Sequence, residues 1–161
     1  MTKTWRVIVL IFVVASAGCN QAEPNDSVVN VSEQDPHMNT AMATARSTVD
    51  KFIKALQAPK SGQSSFALKM PISNGTDTER FWLADVTYDG KAFHGTINNE
   101  PDTVKTVKIG QAMTVDAKQI SDWMYVEDGV LVGGYTMRVL RDAMSPTERA
   151  DFDKSMPFKM Q

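Results

Sequence analysis

The chain has 161 residues, which suffices for one domain and is too short for two domains of ordinary size. Its 42% hydrophobic and 22% charged residues exclude a wholly disordered chain, and its net charge of −2 gives no electrostatic sign of nucleic-acid binding. One cysteine and two histidines exclude an internal disulfide and a multi-cysteine zinc site and leave little room for a histidine-rich metal centre, so we expect no metal and no cofactor.

The N-terminus has the pattern of a secretory signal peptide over residues 1–18. Lys3 and Arg6 provide the positive start, and the apolar run over residues 7–15 is too short to span a bilayer core of about 30 Å. Small residues then lead to the single cysteine, Cys19. This order predicts export from the cytoplasm.

The residues around the cysteine sharpen that prediction. The run Ser16-Ala17-Gly18-Cys19 resembles the lipobox of bacterial lipoproteins. The resemblance implies that the signal peptide is cleaved before Cys19 and that a lipid is attached to its sulfur. Ser16 stands where that family usually has an aliphatic residue, and the alternative is a plain secretory signal with an incidental cysteine.

Residues 19–38 have the composition of a flexible acidic tether, with four acidic residues and neither Lys nor Arg. Asn20 would be the second residue of the mature chain. By resemblance to Gram-negative lipoproteins, a residue other than Asp there favours the outer membrane. We therefore predict a cell-envelope protein held at the membrane by Cys19 and facing the periplasm.

Residues 39–161 predict a single α+β domain. Apolar residues recur at helical spacing from Met42 to Leu56, and alternation from Phe66 to Met70 predicts a strand. Two short helices are expected near the C-terminus, the first from Thr136 and the second from Ser145, which begins a capping-box sequence.

Two Asp-Gly pairs predict β-hairpins in the middle of a mostly antiparallel sheet. They are Asp89-Gly90 and Asp128-Gly129, each flanked by strand-like sequence and each suited to a two-residue type I′ turn. In the first hairpin such a turn would pair Tyr88 with Lys91. Asp85 would then lie directly opposite His94.

The Asp85–His94 pair is the one candidate catalytic dyad that the sequence offers. A carboxylate beside an imidazole favours the charged histidine and can orient it as a general base. The alternative is a partly exposed ion pair of little energetic weight.

A second candidate site lies around the second hairpin. Asp122, Trp123 and Tyr125, with Tyr135 further along, predict a ligand surface, because Trp and Tyr offer a stacking face with a polar handle. The alternative is structural. In that case Trp123 anchors the sheet to a helix and Asp122 caps a turn.

The stretch from about Arg80 to Phe152 resembles the YegJ-like (DUF2314) family of bacterial proteins, a domain of unknown function. The resemblance is carried by three blocks and several shorter matches: residues 80–82 (Arg-Phe-Trp), residues 120–125 (Ile-Ser-Asp-Trp-Met-Tyr) and residues 133–136 (Gly-Gly-Tyr-Thr). The family includes exported members, which agrees with this N-terminus. It offers no established activity, so it implies no catalytic residues.

We therefore expect a non-catalytic envelope module that binds a protein, peptide or glycan. One alternative is a small envelope hydrolase that uses His94 with Asp85. Another is an immunity-type protein that blocks a partner toxin by surface contact.

Overall fold

A computed structural model describes residues 4–7, 29–32 and 35–160 of the chain. The predicted cleavage site and Cys19 lie outside the described residues, as does most of the predicted tether. Residues 4–7 and 29–32 form two short antiparallel strands that pair with each other.

Within the described residues the chain forms eight strands, four α-helices and one turn of 3₁₀ helix. In chain order these are β1 (Thr4–Val7), β2 (Val29–Ser32), α1 (Pro36–Ser47), α2 (Val49–Gln57), β3 (Gln63–Ser73), β4 (Thr78–Tyr88), β5 (Ala92–Ile97), β6 (Ala112–Asp116), the 3₁₀ turn (Ala117–Gln119), β7 (Asp122–Glu127), β8 (Val130–Gly133), α3 (Tyr135–Ala143) and α4 (Pro146–Ser155).

Strands β3 to β8 form one six-stranded sheet in the order β6-β5-β4-β3-β7-β8. Every neighbouring pair in it is antiparallel. The sheet with its helices before and after it confirms the predicted α+β class.

The first helical segment differs from the prediction in two ways. It begins at Pro36, because the Asp35 carboxylate accepts hydrogen bonds from the backbone N–H groups of His37 and Met38 and so caps the helix. Residues 36–38, predicted to end the tether, are therefore helical, and Met38 is buried. The segment is also two helices, because the helical backbone is interrupted at Thr48, whose hydroxyl bonds back to the carbonyl of Thr44.

The two faces of the sheet are covered by different elements. The inner face carries the main hydrophobic core beneath α2 and part of α1, with Phe52, Phe81 and Trp123 among its fully buried members. The outer face is covered over β3, β7 and β8 by α3, α4 and the residues after α4, where Trp82 and Met137 pack together.

The predicted register of the β4–β5 hairpin is wrong, because Tyr88 pairs with Phe93 and not with Lys91. In addition, β4 contains a bulge further from the turn. Ala84 pairs with Thr96 and Thr87 pairs with His94, so two residues of β4 lie opposite Gly95 alone. Asp85 in that bulge has φ 52°. A Cβ on Gly95 would lie 2.9 Å from the carbonyl oxygen of Ala84, so glycine is what allows the strands to approach here.

The bulge also reverses which side chains face the core. Phe81 and Leu83 precede it and are fully buried on the inner face, whereas unbroken alternation from Val86 would place them on the outer face. Val86, which follows the bulge, is also buried on the inner face. One extra residue thus keeps both halves of β4 facing the core.

Candidate functional site

Half of the outer face of the sheet is not covered by helices. It lies over β5, β6 and the end of β4, and its side chains are exposed or half-buried. We call this surface the open face; its members are Asp85, Thr87, Asp89, Ala92, His94, Thr96, Ala112, Thr114 and Asp116. Hydroxyl, imidazole and carboxylate groups dominate it, and Ala92 and Ala112 are its apolar members.

His94 lies near the centre of the open face and joins two of its strands. Its Nε2 atom lies 2.9 Å from an Asp89 carboxylate oxygen, and its Nδ1 atom lies 3.2 Å from the hydroxyl of Thr114. The ring is therefore held between a carboxylate and a hydroxyl. The Asp89 pKa lies well below its usual range because the backbone N–H of Ala92, the His94 ring and the backbone N–H of Lys91 all bond to its carboxylate.

The predicted Asp85–His94 dyad is not formed. The Asp85 carboxylate accepts a hydrogen bond from the Thr96 hydroxyl at 3.3 Å, and the carboxylate beside His94 belongs to the turn residue Asp89. The cause is the turn: Tyr88 pairs with Phe93 and not with Lys91, which sets His94 opposite Thr87. The sequence could have suggested Asp89 only if the turn were known to be longer than two residues.

The second predicted site lies in the interior of the protein. Asp122 and Trp123 are fully buried and Tyr125 is nearly so, while Tyr135 is half-buried. The prediction that these residues form an exposed ligand surface is therefore wrong. Trp123 has the anchoring role of the structural alternative, while Asp122 caps a helix rather than a turn.

Trp123 is the anchor between the sheet and α1. Its indole N–H donates to the carbonyl oxygen of Ala45 at 2.9 Å, and its ring packs against Phe52 with centroids 5.6 Å apart. Tyr135 meets the same indole edge-on, and its hydroxyl forms a hydrogen bond with the hydroxyl of Thr48 at 3.1 Å. A buried Trp side chain needs a hydrogen-bond acceptor for its indole N–H, and the Ala45 carbonyl provides it.

Asp122 caps the N-terminus of α3. One carboxylate oxygen accepts from the backbone N–H groups of Trp123 at 2.8 Å and Tyr135 at 3.1 Å. The other accepts from the backbone N–H of Thr136 at 2.8 Å and from its hydroxyl at 2.6 Å. Burial raises the Asp122 pKa, while these bonds, chiefly the one from the Thr136 hydroxyl, and the charge of Lys69 oppose the rise.

Lys69 is the buried cation that faces this carboxylate. On β3 it pairs with Trp82 of β4 on one side and with Asp122 of β7 on the other. Its Nζ atom lies 3.3 Å from the Thr136 hydroxyl and 5.2 Å from the centroid of the Trp82 ring. Burial is the main reason that its pKa is lowered to about 8, and Arg80 lowers it further while Asp122 raises it.

Sequence reasoning missed Lys69 and also Glu79. A lysine between Leu68 and Met70 has the alternation expected of a solvent-facing position, and the helix that covers it comes from a distant part of the chain. Glu79 is buried, and its carboxylate accepts from the backbone N–H groups of Asp102, Thr103 and Val104. It therefore fixes the loop between β5 and β6 onto the core.

No group of three or more potential metal-ligating side chains occurs in residues 35–160 or in the two described strands before them. Among the helices that the structure describes, none has the length and apolarity needed to cross a bilayer.

Residues 35–160 match the sequence model of a family described as an uncharacterized protein conserved in bacteria (DUF2314). The chain belongs to the DUF2314 family. It is 34% identical over 146 residues to the uncharacterized protein YegJ of Escherichia coli K12, covering 91% of this chain and 94% of YegJ. The predicted family resemblance is thus confirmed.

A second relative is similar to this chain over about half of its own, longer chain. It is a Neisseria meningitidis serogroup B protein named as a putative ankyrin repeat protein, 33% identical over 137 residues. The match covers 80% of this chain and 54% of that one. No solved structure matches the chain.

The capping contacts of Asp122 predict that a neutral amide cannot replace it in this DUF2314 domain. All four of its contacts are accepted bonds, so the NH₂ group of an asparagine side chain at this position would face a donor. We expect Asp122→Asn to lower the free energy of unfolding by about 2–4 kcal/mol in urea denaturation. The exposed helix residue Asp151 is the control: Asp151→Asn should change it by less than about 0.5 kcal/mol. Equal effects of the two variants would contradict the capping role.

The buried Lys69 predicts an unusual pH dependence of stability. Its pKa is about 8 in the folded protein, below the ordinary 10.5, so the unfolded chain binds more protons between these pH values. The contribution of Lys69 to the free energy of unfolding should therefore rise from about pH 8 to 10.5, by on the order of 3 kcal/mol.

Chemical denaturation of wild type and Lys69→Met across that pH range isolates this contribution as the difference between the two. The difference should shift in favour of the wild type as the pH rises. Lys154→Met, which removes an exposed lysine of α4, should show no such shift. A difference that stays constant with pH would mean that Lys69 has an ordinary pKa.

Proposed function

We propose that this protein is a lipid-anchored, non-catalytic binding module of the bacterial cell envelope, which binds a protein partner through the open face. The observation that carries the proposal is the uncovered half of the outer sheet face. Helices α3 and α4 cover β3, β7 and β8, whereas the outer side chains of β5 and β6 stay accessible.

The open face is preorganised for binding. His94 is held by Asp89 and Thr114, and Thr96 donates to Asp85, so these side chains already have fixed positions. Side chains that are ordered before binding lose less conformational entropy when a partner docks. A polar sheet face whose side chains are hydrogen-bonded to one another therefore suits the surface of another folded protein.

The charge of the open face indicates the chemistry of the partner. Three carboxylates, those of Asp85, Asp89 and Asp116, lie on it with the imidazole of His94. An acidic surface favours a partner with a basic contact surface, and such complementarity chiefly raises the association rate. We therefore expect binding to weaken as the salt concentration rises.

The anchor rests on the sequence. The positive start, the apolar run and the small residues before Cys19 form the lipoprotein pattern, and Asn20 favours the outer membrane. Stable anchoring takes at least two hydrophobic chains or an equivalent second signal, which multiple acylation of one cysteine would supply. The domain would then face the periplasm at the end of the segment before α1.

The longer relative also favours a binding role. Ankyrin repeats stack into extended concave binding surfaces. In the Neisseria protein, going by its name, the sequence that matches this chain is combined with that repeat type. Proteins with binding repeats often combine them with further binding domains, so a binding role for the matching sequence is consistent with that arrangement.

The test is cross-linking in intact membranes of the native host followed by affinity purification of this protein. Thr87 is exposed at the centre of the acidic surface, so Thr87→Arg adds bulk and positive charge without touching the core. We expect it to reduce capture of a stoichiometric, basic partner at least about tenfold. The control Ala150→Arg, on the exposed side of α4, should capture as the wild type does. Capture that survives Thr87→Arg would contradict binding through this face.

The anchor is tested in the same cells. Cys19→Ser should move the protein from the membrane to the soluble fraction and leave its unfolding midpoint unchanged. Membrane retention of that variant would contradict the lipid anchor. A captured toxin would give the module an immunity-type role.

A hydrolase is the alternative that one observation favours. Asp89, His94 and Thr114 form a carboxylate–imidazole–hydroxyl chain, the arrangement that activates a hydroxyl nucleophile. Wild-type turnover of an ester or amide that disappears in both His94→Ala and Thr114→Val would favour the enzyme over the binding module.

A further inference from the structure

Five of the ten methionines meet in one hydrophobic cluster on the covered half of the outer face. We call it the methionine cluster; it contains Met124, Met137, Met144, Met156 and Met160, packed with Trp82, Phe152 and Phe158. Its members differ in accessibility. The first three are buried, whereas Met156 and Met160 are half-buried.

The two accessible methionines lie at the ends of one short stretch, residues 156–160, which we call the C-terminal segment. It lies along β8, the outermost strand on that side of the sheet. The backbone N–H of Leu131 donates to the carbonyl of Lys159 at 2.9 Å, and the N–H of Lys159 donates to the carbonyl of Gly129 at 2.8 Å. The segment thus covers an edge that would otherwise offer unpaired backbone groups.

Among the described residues, the C-terminal segment is held against β8 by backbone hydrogen bonds and by apolar packing. Besides the two backbone hydrogen bonds, its apolar attachments are the side chains of Met156, Phe158 and Met160 in the methionine cluster. Pro157 and Lys159 are exposed to solvent. Two of its three apolar attachments are therefore half-buried methionines, and oxidation converts a thioether into a polar sulfoxide.

We propose that Met156 and Met160 are an oxidation site, and that a peroxide releases the C-terminal segment from β8 by converting them to sulfoxides. In the oxidation of each methionine, the sulfur lone pair attacks one oxygen of hydrogen peroxide. The O–O bond breaks, a sulfur–oxygen bond forms, and the departing hydroxide takes up the proton of the transferred oxygen and leaves as water. The sulfoxide no longer fits an apolar cluster, so the segment detaches and the β8 edge and the methionine cluster become exposed.

The order of oxidation is the first test. The full chain is treated with graded hydrogen peroxide, and each methionine peptide is quantified by mass spectrometry. We expect Met156 and Met160 to oxidise at least about tenfold faster than Met124, Met137 and Met144, because the first two are half-buried and the other three are buried. Equal rates across the cluster would overturn the proposal.

Release of the segment is the second test, measured by amide hydrogen exchange at Leu131 and Lys159. After peroxide treatment these amides should exchange at least about tenfold faster in the wild type. In Met156→Leu/Met160→Leu, which keeps apolar side chains of similar volume, they should stay protected. Met113→Leu removes a half-buried methionine of the other face, and that variant should respond as the wild type does. Unchanged exchange in the oxidised wild type, or equal acceleration in the double variant, would overturn the proposal.

Discussion

The Asp122 carboxylate is the point at which the sheet, α3 and the polar interior meet. It is fully buried, and four hydrogen bonds satisfy its two oxygens, three from backbone N–H groups and one from the Thr136 hydroxyl. A buried charge without partners is strongly destabilising, so this side chain tolerates no other arrangement of α3. The next residue, Trp123, bonds α1 on the opposite face of the sheet. Two adjacent residues at the start of β7 thus fix two helices that are far apart in sequence.

The position of α3 decides which part of the outer face is covered. With the first turn of α3 capped by Asp122, Met137 packs over β7 and β8. The Thr136 hydroxyl then accepts a hydrogen bond from the buried Lys69 ammonium group. The glycine pair before α3 makes this geometry possible, since a Cβ on Gly133 would collide with the carbonyl oxygen of Trp123. Strands β5 and β6 lie beyond the reach of α3, and so the open face is a consequence of the same cap. The proposed binding surface thus occupies the uncovered half of the outer sheet face, and the methionine cluster fills the space between the covered half and its helices.

The sequence predicted the elements of the fold better than their contacts. Helical and alternating patterns, which are local, predicted the α+β class. Residues 80–82, 120–125 and 133–136 predicted the family. The Asp85 bulge could not be predicted, because Phe81, Trp82 and Leu83 are all apolar and hide the change in alternation that the extra residue introduces. The burial of Asp122, Tyr125 and Lys69 depends on helices that arrive from both ends of the domain. Local sequence patterns do not show which strand residues a distant helix will cover. For this reason the residues of the predicted ligand surface are found in the core.

Native-state hydrogen exchange tests the central role of the Asp122 cap most directly. If the cap joins α3 to the sheet as one cooperative unit, the amides of Tyr135 and Thr136 exchange only through global unfolding. Their opening free energies should then equal that of the fully buried Leu68 in β3. Faster exchange of Tyr135 and Thr136 through local opening of α3, with Leu68 still protected, would contradict the account.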